Sequence, residues 1–244
     1  MISAVLGAAI PIIIAITLHE AAHGYAAWAL GDDTAKRLGR LSLNPLRHVD
    51  RVGTILLPGF LLISQLVTIG HVAFMFGWAK PVPVSAWKFR DPRRGMMVVA
   101  AAGPAMNFFL AWLGALALHV IPVFASTTAA AQMQFEFVTV FIVSNLALGL
   151  FNLIPLPPLD GGRIAVGLLP EDAARAYAKV ERAGILMILL LLFLLPAALR
   201  EFGIQFDPVR EYLTIAIIHT AHWILWLAGA SPFLPFLFGD GGDI

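Results

Sequence analysis

Long apolar runs separated by short polar segments organise this chain. A helix that crosses a bilayer needs about 20 consecutive, mainly apolar residues. Runs of this kind lie at Ile2–Leu30, Met96–Ile121, Phe135–Leu156 and Leu213–Ala230, with a shorter one at Ile185–Leu199. A sixth, Val52–Phe76, is interrupted by Gly53, Pro58, Gly59, Ser64, Gln65, Thr68, Gly70 and His71. The pattern predicts an all-α polytopic membrane protein with five to six transmembrane helices. No internal repeat is visible, and no polar stretch is long enough for an appended soluble domain. Residues 1–230 therefore read as one integral-membrane domain and residues 231–244 as a short C-terminal tail.

Composition reinforces this reading. The chain is 59% hydrophobic and 13% charged, whereas soluble domains average about 45–50% apolar and about 25% charged. A net charge of +1 without a basic patch gives no support for a nucleic-acid partner. There is no cysteine, so any metal site must use His, Asp or Glu. The first eighteen residues lack a basic residue. They do not read as a cleaved secretory signal, and the N-terminus is expected to be retained.

Charge placement predicts topology. The sixteen Lys and Arg residues fall in four segments: Gly31–Arg51, Gly77–Gly95, Asp160–Arg182 and the stretch holding Arg200 and Arg210. Short loops rich in Lys and Arg stay cytoplasmic. The first three segments are expected inside, and Pro122–Gln134, which has no Lys or Arg, outside. A full crossing by Val52–Phe76 would put its two basic flanks on opposite sides. The pattern therefore favours a segment that dips in and returns, with Pro58-Gly59 as its turn. An ordinary transmembrane helix is the alternative.

Candidate chemistry sits inside the first apolar run, where HEAAH spans His19 to His23. On a helix the two imidazoles project from one face, about 6 Å apart along the axis. That spacing lets both bind one zinc ion, with Glu20 in reach of a water on the metal. Zinc lowers the pKa of its water toward 7, so a carboxylate can take the proton near neutral pH. HExxH alone is a weak signal, and a polar helix–helix contact is the bland reading. Ionisable groups at membrane depth are costly, however, and are functional by default.

A catalytic zinc site has three protein ligands and one open position. Asp160 is the best third ligand. It follows Pro155, Pro157 and Pro158, which break the incoming helix, and precedes Gly161 and Gly162, which permit a tight turn. A plain helix cap or loop position is the competing reading for Asp160. His219 and His222 share one side of the last run but lack an obvious third ligand. His48, His71 and His119 read as structural.

HEAAH, GPAMN at Gly103–Asn107, FNLIPLPPLDGG at Phe151–Gly162 and GWAKPVPV at Gly77–Val84 together resemble the site-2 protease family of intramembrane zinc metalloproteases, peptidase family M50. The segment Arg37–Asp50 is similar to the compact bacterial members, which lack PDZ and CBS domains. The resemblance implies one Zn2+ per chain, bound by His19, His23 and Asp160, with Glu20 as general acid/base. It places Asn152 near the metal, where its amide would bond substrate backbone or a developing oxyanion. A backbone cap is the other reading of Asn152. Gly103, Pro104 and Asn107 read as residues of close helix packing.

The resemblance also implies a small membrane-proximal β element around residues 37–50 and 77–85. The alternation of Val82 and Val84 with Pro81, Pro83 and Ser85 favours extended backbone there, suited to holding a substrate by strand addition. The implied function is an endopeptidase acting within or near transmembrane segments of membrane proteins, in signalling or in clearance of membrane peptides. Its partners would be the lipid bilayer and a transmembrane-segment substrate. It would reside in the bacterial inner membrane with the active site toward the cytoplasm. The rival is a divalent-metal transporter, which would favour paired broken helices in two halves. Only one proline-broken segment is present. Oligomeric state leaves no trace in the sequence.

Overall fold

A computed structural model describes residues 2–68, 70–71, 77–121, 127–179 and 181–238. Among these residues all regular structure is helical. The main elements are α1 (Ile2–Ala29), a single turn α2 (Thr34–Arg37), α3 (Leu57–Thr68), α4 (Pro92–Ala117) and α5 (Thr128–Asn152). They continue with α6 (Asp160–Leu168), α7 (Glu171–Ala178), α8 (Glu181–Leu189), α9 (Leu195–Glu201), α10 (Pro208–Leu227) and α11 (Leu234–Phe238). A π-helical turn, Arg51–Leu56, runs directly into α3, and another, Leu190–Leu194, joins α8 to α9.

The helix starts follow ordinary capping chemistry. Asp91 accepts from the N–H groups of Arg93 and Arg94, with Pro92 in the first turn of α4. The Thr127 hydroxyl accepts from Ala130 N–H at α5, and Asp207 from Arg210 N–H at α10. Such caps satisfy donors that the helix leaves orphaned.

Helix α4 is the hub, packing against α1, α5, α6 and α10. A Cβ on Gly114 would meet Ile142 Cγ1 at 2.8 Å, and one on Gly149 would meet Asn107 Cβ at 3.2 Å. Small residues thus let α4 and α5 approach closely, as helices do in lipid. Their contact continues into an apolar core of Ala111, Ala115, Leu118, Ile142, Leu146 and Leu225.

Among the described residues, three helical stretches are long and apolar enough to cross a membrane: Arg51–Thr68, Pro92–Ala117 and Thr128–Asn152. Phe60, Ile63 and Val67 on the first are exposed, which suits a surface that faces lipid. The expected five to six transmembrane helices are corrected by this result. In α10 Arg210, Glu211, His219 and His222 dilute the apolar run. The Ile185–Leu199 stretch is divided among α8, the π-turn and α9.

The expected β element around residues 37–50 and 77–85 is also corrected. Neither segment holds a strand, and Pro45–His48 forms a 3-10 turn. Pro81 and Pro83 bring no N–H. The donors of Lys80, Val82 and Ser85 go to His48 O, Glu20 Oε2 and Asp32 Oδ2. Backbone groups engaged one by one in this way leave no ladder to build.

Pro58 and Gly59 lie inside α3 rather than in a turn. Trp78 N–H nevertheless donates to Gly53 O at 3.1 Å, and the Thr54 hydroxyl donates to Trp78 O at 2.9 Å. The stretch from Gly53 to Trp78 therefore begins and ends at one level. Residues 72–76 of the Val52–Phe76 segment, 122–126 of the Pro122–Gln134 loop and 239–244 of the tail lie outside the described residues. Residues 231–238 form a 3-10 turn and α11.

Candidate metal centre

Helix α1 carries His19 and His23 one turn apart, facing α4, with Glu20 next to His19 and turned toward Val82. The loop after α5 returns the chain so that Asp160 opens α6 in the same place. Asp160 is the first residue of α6, and Leu159 is the residue before the helix. The glycines that follow it serve close packing rather than a turn. A Cβ on Gly161 would strike the carbonyls of Leu153 and Ile154, and one on Gly162 would meet Pro157 N at 2.6 Å. The Pro157–Pro158 peptide is cis.

Three atoms converge. His19 Nε2 lies 3.1 Å from His23 Nε2. Asp160 Oδ2 lies 3.2 Å from His19 Nε2 and 3.3 Å from His23 Nε2. His19 and Asp160 are buried, at 5% and 8% exposure. Asp160 Oδ2 has no hydrogen-bond partner of good geometry; the two imidazole nitrogens are what it faces. A buried carboxylate oxygen left in that state is costly.

A metal resolves it. Tetrahedral zinc with bonds of about 2.0–2.1 Å holds its ligand atoms about 3.3–3.4 Å apart, close to the observed triangle. The donor set, two imidazoles and a carboxylate, is one that zinc accepts. Both histidines are prepared for it at their other nitrogen. His23 Nδ1 donates to Val99 O at 2.7 Å, and His19 Nδ1 lies 2.6 Å from Asn107 Oδ1. A metal-binding imidazole characteristically has such a partner. The rings stand nearly perpendicular, at 89°.

Glu20 offers its carboxylate beside this triangle, with ligand atoms of His19, Glu20 and His23 all within 4.8 Å of one another. Its Oε2 accepts the N–H of Val82 at 3.1 Å. The segment that makes this contact is tied down at its far end. Asp32, 0% exposed, accepts from Ser85 N–H at 2.6 Å and pairs with Lys88 Nζ at 3.1 Å. Burial pushes the Asp32 carboxyl up, but the Ser85, Thr34 and Lys88 donors outweigh this and bring it to about 2.

Of the residues singled out from sequence, His19, Glu20, His23 and Asp160 come together. Asn152 sits at the end of α5 and donates from Nδ2 to Leu148 O at 3.0 Å, the geometry of a backbone cap. His219 Nδ1 bonds Ile215 O within α10.

Sequence reasoning missed three contributors. Gly103 is more than a packing glycine. A Cβ there would stand 2.5 Å from the His23 ring and 2.6 Å from His19 Cε1. Asn107 and Asn145 form a buried amide pair behind His19. Val82 supplies a backbone donor, which no side-chain motif reveals. The signals for the two asparagines were the GPAMN motif, which ends at Asn107, and a lone amide at Asn145 within an apolar run.

The model of peptidase family M50 matches residues 117–195, a stretch that includes Asn152 and Asp160. The chain is 40% identical over 184 residues to YwhC of Bacillus subtilis strain 168, covering 75% of this chain and 78% of that protein. It is 30% identical over 223 residues to Rip2 of Mycolicibacterium smegmatis, covering 88% and 79%. Rip2 of Mycobacterium tuberculosis strain H37Rv is 32% identical over 184 residues, covering 75% and 65%. All three are provisionally named zinc metalloproteases. No solved structure matches the chain significantly. Nothing in these relationships favours a metal transporter. The protein is an integral-membrane zinc metalloprotease, and it belongs to peptidase family M50, the site-2 protease family.

Proposed function

We propose that His19, His23 and Asp160 hold the catalytic zinc and that Glu20 is the general acid/base. The observation that carries this reading is the triangle of Nε2, Nε2 and Oδ2 atoms with sides of 3.1–3.3 Å, closed by an otherwise unpartnered carboxylate oxygen. Zinc, when bound, supplies Lewis acidity that activates water and polarises the scissile carbonyl.

The chain's own residues do the rest. Asp160 and the two imidazoles would hold the metal through Oδ2 and the two Nε2 atoms. The Val82 N–H holds Glu20 Oε2, which leaves Oε1 to take a proton from the attacking water. The same oxygen then delivers it to the leaving amine. Asn152 is given the role of donor to the developing oxyanion by its motif; one N–H of its amide bonds Leu148 O and the second is left for that contact.

The substrate is a protein segment in or beside the bilayer, unwound so that its peptide bond can reach the site. Residence in a bacterial cell membrane, with several passes and the site toward the cytoplasm, is supported by the basic segments Gly31–Arg51 and Gly77–Gly95. They flank a stretch whose ends, Gly53 and Trp78, meet, so both belong on one side. Residues 1–230 act as one domain in this reading.

Glu20→Gln tests the mechanism. Zinc should stay bound at one per chain while cleavage falls by roughly 10²–10⁴-fold. The readout is comparative membrane proteomics of cells with active and Glu20→Gln protein, where an uncut single-span protein should accumulate in the variant. Unchanged cleavage by the variant overturns the assignment of Glu20.

A further inference from the structure

Two buried side chains in the bundle do none of the chemistry assigned above. Asn107 on α4 and Asn145 on α5 are each 0% exposed. A buried amide must find partners for its oxygen and its two N–H groups. Asn145 Nδ2 donates to Phe141 O at 2.8 Å. Asn107 Nδ2 donates to Asn145 Oδ1 at 2.9 Å and faces Ala15 O at 3.4 Å. Asn107 Oδ1 lies 2.6 Å from His19 Nδ1. The chain of contacts runs from α5 through α4 to α1.

Its direction is forced by the backbone. A carbonyl oxygen only accepts, so Phe141 O requires Nδ2 of Asn145. The Asn145 oxygen then faces Asn107, which must answer with its own Nδ2. Ala15 O demands the same orientation of Asn107 independently. Only Oδ1 of Asn107 remains for His19, and an acceptor there requires the proton on Nδ1. A neutral imidazole carries one N–H. His19 Nε2 therefore keeps its lone pair, and it is the atom that faces His23 and Asp160.

We infer that Asn107 and Asn145 are positioning residues that lock His19 in its metal-binding tautomer and ring orientation. This rests on the reading of His19 as a zinc ligand. His23 reaches the same state in one step, because its Nδ1 meets the carbonyl of Val99 directly. His19 reaches it through two side chains whose orientation is set by fixed carbonyls on α5 and α1. The competing role for an Asn–Asn pair is polar glue between helices, which involves no zinc.

The two roles separate on zinc affinity, measured on purified full-length protein in detergent by competition with a chromophoric chelator. Thermal unfolding of the metal-free protein is followed in parallel. Asn107→Leu removes the acceptor for His19 and should weaken zinc binding by roughly 10–100-fold. Asn107→Asp keeps that acceptor but loses both donors and sets a carboxylate against Ala15 O and Asn145 Oδ1. It should cost more stability than Asn107→Leu yet bind zinc more tightly, so that the two rankings cross. Asn145→Leu touches no metal ligand and should still weaken zinc binding, on the order of fivefold. Wild-type affinity in Asn107→Leu and Asn145→Leu, with zinc lost in His19→Ala, overturns the inference alone. Affinities that simply follow stability across the variants also overturn it, in favour of glue. Wild-type affinity in His19→Ala overturns the ligand assignment beneath it, a separate outcome.

Discussion

The interface between α4 and α5 has two ends built on opposite principles. At one end Ala111, Ala115 and Leu118 meet Ile142 and Leu146, with Leu225 of α10 closing the cluster. At the other, Asn107 and Asn145 meet each other and His19. Both ends are fully buried. The apolar end gains from shape alone, since lipid tails are as apolar as leucine and association there relies on packing. The polar end gains from satisfied hydrogen bonds, each member of which is costly to orphan. The same two helices thus provide a scaffold at one end and, at the other, hydrogen bonds that fix the orientation of His19, the proposed metal ligand.

Substitutions should break this contrast in graded order. His23→Ala removes a corner of the triangle, and the purified protein should fall from one zinc per chain to none, with complete loss of cleavage. Elemental analysis by mass spectrometry checks it. Gly103→Ala comes next. The new methyl would press on rings already held at Nδ1, and zinc affinity should drop on the order of tenfold or more, as read by chelator competition. At the apolar end Leu146→Ala should leave zinc affinity unchanged and cost about 2 kcal/mol or more of stability, through the cavity it opens. A shift in zinc affinity there would mean that the two ends are not separable.

The smallest effect concerns the clamp on the Val82 segment. The Asp32 carboxyl is lowered to about 2 in the folded protein, against about 3.9 when free. A depressed carboxylate contributes stability that is present above about pH 4 and is lost as the pH falls toward 2. Wild-type thermal stability should therefore drop more steeply between pH 4 and 2 than that of Asp32→Asn. Parallel curves for the two proteins would show that the clamp contributes nothing.

The residues that converge at the candidate metal centre were legible largely because local geometry brings them together. His19, Glu20 and His23 lie within five residues of one helix, and helical spacing alone puts the imidazoles on one face. Asp160 stood out from the prolines before it and the glycines after it, although its place as the first residue of α6 did not. Asn107 could not be read as more than a packing residue. Its partners, His19 and Asn145, lie 88 and 38 positions away, and only the stacking of three helices brings them together. The extended 77–85 segment was anticipated as part of a sheet. Alternating valines and prolines favour extended backbone, but they do not say where its N–H groups will find acceptors. Those acceptors are Glu20, Asp32 and His48 O, each supplied by another part of the chain.

What the sequence by itself determined is the solvent, the helical class, the metal and the residue types that hold it. These follow from hydropathy, composition without cysteine and short-range periodicity, all of which are properties of consecutive residues. The tertiary structure decided where each helix begins and ends. It also decided that Gly53 and Trp78 meet, which carbonyls orient the amides behind His19, and which backbone N–H restrains Glu20. Those features depend on hydrogen-bond direction across distant segments, and a buried polar group declares its role only once its partners are in place.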